Sequence, residues 1–473
     1  MFINGAWVEK KEVVKVVNPA TGKLVAEISK GSKEDAERAI ASAKEAFVTW
    51  SQTTGLERSQ ILENIAQRIL AEKERLALLI TTEMGKPLVN ALYEVDSTAA
   101  YFKWFAEEAR RIYGEQIPHS AANKRLLAIK QPVGVIAAIT PWNFPLQMLS
   151  RKLAPALAAG CTCLVRPSNQ APLSAIELMK IFEACGLPAG VANLVIGAAE
   201  EITDVWLASP DVKKISFTGS TEVGVELIKK SADTVKKVSM ELGGHAPFIV
   251  FEDADVPLAV EGAISIKFSS SGQQCVCANR IYVHQSIHEA FVEQYIERVR
   301  QLPVGNGADI QNRVGPLINE SAMQKMDEQV TDALEKGAVL LCGGKRCTEG
   351  ELANGHFYEP TVLSGVDDSM LITKEETFGP VAPIIAFESE EEVLRRANDT
   401  EFGLAAYFYT QNLSRAHRVF ERLEYGIVGI NDAAPFAVQA PFGGWKSSGL
   451  GIEGAHGIEE YLETKVGSFL LTI

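Results

Sequence analysis

Between residues 146 and 240 the chain alternates at short intervals between segments whose apolar side chains share one helical face and compact apolar runs of strand length. Helices are expected over 146–158, 174–184, 200–208 and 221–230, and strands over 162–165, 192–196, 214–217 and 236–240. Strands that take turns with helices pair in parallel in a doubly wound sheet, which binds ligands beyond the carboxyl ends of its strands. The alternation restarts with a strand over 248–251, a helix over 258–268, a strand over 281–283 and a helix over 288–302, and runs on to Asn431. Two α/β domains with a cleft between them are therefore expected. A length of 473 residues, more than one hydrophobic core accommodates, agrees.

Ahead of this series, Asn4-Gly5 and Thr21-Gly22 separate short apolar runs, the pattern of hairpins. Ser32, with Asp35 three residues on, is placed to cap a helix carrying Ala36, Ile40, Ala43 and Phe47 on one face. Helical periodicity continues from Leu56 to Ile112, where Tyr101, Phe102, Trp104 and Phe105 form a stripe suited to core packing. Residues 125–140 read as extended, interrupted at Pro132-Gly134, and 467–473 form a final extended run.

A net charge of −14 disfavours nucleic acid and anionic membranes as partners, because both demand excess Lys and Arg. The first residues lack the basic and apolar regions of a signal peptide, and no apolar run is long enough to cross a bilayer, so a cytoplasmic location is expected. Seven scattered cysteines do not form a disulfide framework and suit a reducing compartment.

Chemistry concentrates between Met240 and Arg280, where Glu241 ends one apolar run and Cys275 sits in a Gly/Gln loop before another. Alone, Cys275 reads as a small buried apolar residue and Glu241 as a solvated strand end. Their company decides. Pro141-Trp142-Asn143-Phe144-Pro145, Phe217-Thr218-Gly219-Ser220-Thr221, Glu241-Leu242-Gly243-Gly244, Gly272-Gln273-Gln274-Cys275, Glu375-Glu376-Thr377-Phe378-Gly379-Pro380 and Pro441-Phe442-Gly443-Gly444 occur in that order. Together they resemble the aldehyde dehydrogenases along essentially the whole chain. Cys-Val-Cys-Ala-Asn-Arg, with Cys277 beside Cys275, is most similar to the succinate-semialdehyde dehydrogenase branch.

The resemblance implies two doubly wound α/β domains plus a small β oligomerisation extension. Residues 1–117 and 133–243 would form the dinucleotide-binding domain, 244–445 the catalytic domain, and 118–132 with 446–473 the extension of a homodimer or homotetramer. The extended runs 122–130 and 467–473 are the ones to assign to that extension, and they could equally be edge strands within one chain. Cys275 is the implied nucleophile, since a thiolate forms the thiohemiacetal from which hydride can leave. Asn143 would donate to the adduct's oxyanion, although a plain turn asparagine has the same local pattern. Glu241 would deprotonate the water that hydrolyses the thioester, and its presence argues against acyl transfer to coenzyme A.

For the cofactor, NADP or NAD, the resemblance points to Trp142, Arg166, Ser168, Asn169, Phe217, Gly219, Ser220, Leu242, Glu376 and Phe378, and to no metal. The strand-to-helix turn at Gly219-Ser220 could bring amides to a pyrophosphate. Arg166-Pro167-Ser168-Asn169 departs from the family pattern: Asn169 replaces the carboxylate that repels a 2′-phosphate, so NADP should be tolerated and even preferred. For a semialdehyde's distal carboxylate, Arg151 is retained, unless it is a structural surface arginine. Ser269 and Phe436 stand where the branch usually carries Arg and Ser. The expected substrate is succinate semialdehyde; lactaldehyde or glycolaldehyde is the alternative, with Phe436 and Trp445 lining a more apolar mouth. A catalytically silent relative and an esterase are the competing classes. Cys277 reads as a core residue or as the partner of Cys275 in a reversible disulfide.

Overall fold

A computed structural model describes residues 1–472; Ile473, the last residue of the run expected over 467–473, lies outside the described residues. The chain opens with a hairpin in which Phe2–Ile3 pairs with Ala6–Trp7, turned by Asn4 (φ 53°) and Gly5 (φ 72°), both in the left-handed region a tight hairpin requires. The helix Lys33–Trp50 follows, its Asp35 carboxylate accepting from the Ser32 amide at 2.9 Å. Further helices span Gly55–Ala71, Lys73–Met84 and Leu88–Glu108, and bury Phe102 and Phe105 as the stripe implies.

Five parallel strands form the centre of the first sheet, in the spatial order Ala192–Leu194, Thr162–Pro167, Val135–Thr140, Val212–Thr218, Lys237–Glu241. Since Val135–Thr140 comes first in sequence, the chain winds outward one way and then the other. The order reverses between Val135–Thr140 and Val212–Thr218, and ligands in such sheets sit outside the carboxyl ends at this crossover. The N-terminal hairpin closes one edge of the sheet and Gly449–Leu450 closes the other, antiparallel to Lys237–Glu241. Apolar clusters cover both faces, one including Leu149, Leu153 and Phe182, the other Ile40, Trp206 and Leu227.

A second sheet, of seven strands, contains Ala246–Val250 and Ala278–His284 paired in parallel, with Ala405–Tyr409 on the far side of Ala246–Val250. A third, antiparallel sheet joins Leu462–Leu470 to Lys124–Pro132, and the latter to Glu115–Ile117. The two α/β units and the small β unit are thus the fold expected from the sequence. Among the described residues no helix is long and apolar enough to cross a membrane.

Candidate active site

A cavity of about 650 Å³ opens at the crossover of the first sheet. Thr140 delivers Pro141, Trp142 and Asn143 to its wall, and Thr218 delivers Gly219 and Ser220. The opposite wall comes from the second sheet: Cys275 lies just before the strand Ala278–His284, so the amino edge of that sheet faces the carboxyl edge of the first. The glycine pair after Glu241-Leu242 makes this approach possible. A Cβ on Gly244 would fall 2.0 Å from the Cys275 carbonyl oxygen, so any larger residue would push the cysteine loop away.

The Cys275 thiol is half-buried, and its pKa is pushed up to about 12, first by burial and then by the Glu376 carboxylate, against an opposing pull from Arg151 that outweighs the further push from Glu241. It rests as a thiol and needs a base or added positive charge to react. Asn143 is buried, and its Nδ2 donates to the Gln273 carbonyl at 3.1 Å, which draws the amide to the loop bearing Cys275.

Glu241 is no solvated strand end: it is 4% exposed, and its Oε2 has no hydrogen-bond partner. Burial and the neighbouring Glu453 raise its carboxyl pKa well above the ordinary range, while Lys152 and Arg151 oppose that rise. Lys152 is buried too, with its Nζ donating at 2.7 Å both to Thr218 Oγ1 and to Glu453 Oε1. Arg151 is likewise no surface residue. Its guanidinium stacks 4.0 Å from the centre of the Phe442 ring and approaches Glu453 at 3.6 Å, and its Nε is unpartnered.

The nucleotide-facing wall fits a nicotinamide dinucleotide. Ser220 Oγ caps the helix Thr221–Ser231 by accepting from the Val223 amide at 3.4 Å, and Gly224 lets that helix pack on Leu242, where a Cβ would meet the side chain at 2.3 Å. The Trp142 and Phe378 rings meet edge to face 5.7 Å apart. Glu376 accepts from the Gly244 amide at 3.0 Å, and burial lifts its carboxyl pKa to about 7. An apolar slot, a helix N-terminus and a half-buried carboxylate are the parts needed for a flat ring, a pyrophosphate and a ribose.

Residues 7–466 match the model of the Aldehyde dehydrogenase family. The chain belongs to the aldehyde dehydrogenase family. It is 52% identical to 3-sulfolactaldehyde dehydrogenase of Pseudomonas putida, over 98% of this chain and 95% of that one. It is 49% identical to the NADP(+) succinate-semialdehyde dehydrogenase of Escherichia coli strain K12, over 98% and 96% respectively. The crystal structure of succinate-semialdehyde dehydrogenase from Burkholderia pseudomallei superposes with a TM-score of 0.97 at 47% identity, covering 99% of this chain and 97% of that one. This family member is accordingly an aldehyde-oxidising enzyme that uses a nicotinamide dinucleotide.

Of the residues singled out in the sequence, Trp142, Asn143, Arg151, Gly219, Ser220, Leu242, Cys275, Glu376, Phe378 and Phe436 line the cavity, while Glu241 stands behind it. Phe217 does not line it. Its ring lies beneath Gly219, where a Cβ would come within 2.3 Å, so it shapes the turn from below. Arg166, Ser168 and Asn169 also stand off the cavity: Arg166 and Asn169 both donate to the Gly197 carbonyl, at 3.2 and 2.9 Å, and Ser168 Oγ accepts from the Gln170 amide. Trp445 is 54% exposed and lines no mouth, because it belongs to a short strand paired with Gly403. Cys277 is buried with its sulfur 3.5 Å from the Lys267 carbonyl, and both it and Cys275 are free thiols. Sequence reasoning passed over Lys152, Glu453, Asn90 and Ser270. Only Ser270 had a local signal, its place in the loop before the nucleophile.

Proposed function

We propose that this enzyme oxidises a short aldehyde with an anionic tail, succinate semialdehyde above others, to the corresponding acid with NADP or NAD. The observation that carries the substrate class is Arg151, a buried cation lining the cavity that also holds Cys275, with one nitrogen left without a partner. A carboxylate is stable in such a cavity only beside a cation or several donors. The names of the relatives support the same class: one acts on an aldehyde bearing a sulfonate, the other on one bearing a carboxylate.

In the chemistry we assign, Cys275 first gives its thiol proton to solvent, its thiolate Sγ attacks the carbonyl carbon, and the oxyanion is held by Asn143 Nδ2, turned from Gln273, and by the Cys275 amide. Donors aimed at such an oxyanion contribute about 2.7–4 kcal/mol each. The bound nicotinamide supplies a hydride acceptor. Trp142, Leu242 and Phe378 would hold its ring, Glu376 its ribose, and Gly219 and Ser220 its pyrophosphate. Glu241 then takes a proton from water, which attacks the thioester on Cys275 and releases the acid. A raised pKa suits a group that must pick up a proton and give it away near neutrality.

NADP is accommodated on this reading because Arg166 has burial as its only shift, to a pKa of about 10, and so stays charged with no carboxylate beside it. Leu127, Ile129, Val466, Phe469 and Leu470 lie exposed on the three-stranded sheet, which supports assembly into dimers or tetramers through it. The free cysteines accord with a reducing compartment such as the cytoplasm. Neutral aldehydes are the second reading, favoured by the Phe436 and Phe442 rings, 6.2 Å apart on the cavity wall. A steady-state panel of succinate semialdehyde, glycolaldehyde, lactaldehyde and benzaldehyde, each with NAD and NADP, decides. The highest kcat/KM is expected for the semialdehyde, and a strong preference for a neutral aldehyde overturns the first reading.

A further inference from the structure

The helix Val256–Phe268 ends in a turn that leads to the nucleophile, and three successive residues of that turn have left-handed backbone: Ser270 (φ 50°), Ser271 (φ 59°) and Gly272 (φ 74°). Glycine belongs there, whereas serines persist only where their surroundings hold them, and such positions gather at functional sites. Ser271 is held. Its hydroxyl accepts from the Gly315 amide at 2.9 Å and donates to the Gly315 carbonyl at 3.0 Å, which ties the turn to a neighbouring loop.

Ser270 is different. It is 1% exposed, it lines the cavity that holds Cys275, and its hydroxyl has no partner. Its amide donates to Asn90 Oδ1 at 3.3 Å, and Asn90 Nδ2 in turn donates to Ser269 Oγ at 3.0 Å. Ser269 is thereby left with its proton free to donate. Asn90 and Ser269 line the same cavity, as does Arg151, whose Nε is likewise unpartnered. Buried polar atoms are nearly always satisfied, and those left open around one cavity mark where a ligand completes the bonding.

We propose that Ser269 and Ser270, positioned by Asn90, form the tail subsite of this cavity and bind the aldehyde's distal oxoanion through neutral hydroxyl donors, with Arg151 supplying the positive charge. The inference rests on the acidic-tail reading above and assigns the residues that replace the missing arginine at position 269. Hydroxyl protons rotate to meet their acceptor. The subsite therefore takes a planar carboxylate or a tetrahedral sulfonate alike.

The test uses the full-length enzyme with NADP and three aldehydes of similar length: succinate semialdehyde, sulfoacetaldehyde and propanal. Ser270→Ala is expected to raise KM for both anionic aldehydes roughly ten- to a hundredfold, the loss of one hydrogen bond to a charged group. Its kcat should stay within about threefold, and its KM for propanal within about twofold. Asn90→Asp, which sets a carboxylate beside the tail, should raise the anionic KM values further and again spare propanal, while intact propanal turnover certifies the fold. Equal damage with all three substrates, or unchanged anionic KM values in both variants, overturns the subsite. A wild-type enzyme that turns over propanal but neither anionic aldehyde instead overturns the substrate reading, and the subsite with it.

Discussion

Two buried lysine–glutamate clusters lie in the same half of this molecule and have opposite bonding states. Lys86 and Glu94 are wholly inaccessible and hydrogen-bonded to each other, and the second Glu94 oxygen accepts from the Leu146 and Gln147 amides at 2.9 and 3.2 Å. Lys86 also sits 3.5 Å over the Phe144 ring. Nothing in that cluster is left open, and it ties the helix Leu88–Glu108 to the start of Gln147–Ala159. The second cluster, Lys152, Glu453, Arg151 and Glu241, leaves an oxygen on each glutamate and a nitrogen on the arginine unpartnered. A satisfied buried ion pair holds elements together; an open one stores unfavourable free energy that chemistry can use.

The contrast breaks most visibly at Glu241. Glu241→Gln should lower steady-state kcat about 10²–10⁴-fold while preserving a burst of reduced dinucleotide, because only thioester hydrolysis needs the base. Its stability should hold or rise, since an uncompensated buried carboxyl is removed. Rapid-mixing absorbance and a denaturant titration check both, and a lost burst with a lowered midpoint would place Glu241 with the structural cluster. Asn143→Ala should cost about 10²–10³-fold in kcat, the value of one oxyanion donor, and should remove the burst rate along with turnover.

Glu94→Gln sharpens the other side. It breaks a paired buried charge and should lose about 3–5 kcal/mol of stability, seen as a lower denaturant midpoint, with kcat/KM of the remaining folded enzyme unchanged. The pH dependence separates the clusters more gently. Burial and Glu453 raise the Glu241 carboxyl, and a base works deprotonated, so thioester hydrolysis should climb with pH above the ordinary carboxylate range and fall as pH drops through that raised value. Single-turnover hydrolysis measured against pH should show this limb in the parent and lack it in Glu241→Gln. The smallest effect is expected at Cys277, whose sulfur faces the Lys267 carbonyl. Cys277→Ala should leave the rate of peroxide inactivation within about twofold, and marked protection from peroxide would revive the disulfide.

Much of this could be read before any coordinates. Strand and helix alternation pointed to the sheets, because periodicity records which side of a segment is buried. The places of Cys275 and Asn143 on the cavity wall, and of Glu241 behind it, were legible since each sits in a short local pattern tied to backbone geometry, as the close approach of Gly244 to Cys275 illustrates. Lys152 and Glu453 were not, because they come from a helix interior and a two-residue strand far along the chain, and only tertiary packing makes them neighbours. The positions of the Phe217 and Trp445 rings were hidden for the same reason: an aromatic side chain in a motif can point to either side of its strand, and the motif does not say which.

The edge strand Gly449–Leu450 closes the sheet that carries Glu241, and Glu453 follows it within the buried cluster. The charge environment of Glu241 therefore depends on a segment far from it along the chain. Cutting or deleting this short edge would unsettle the buried carboxylates without touching the cavity wall, so the cleft is open to damage from a point outside it.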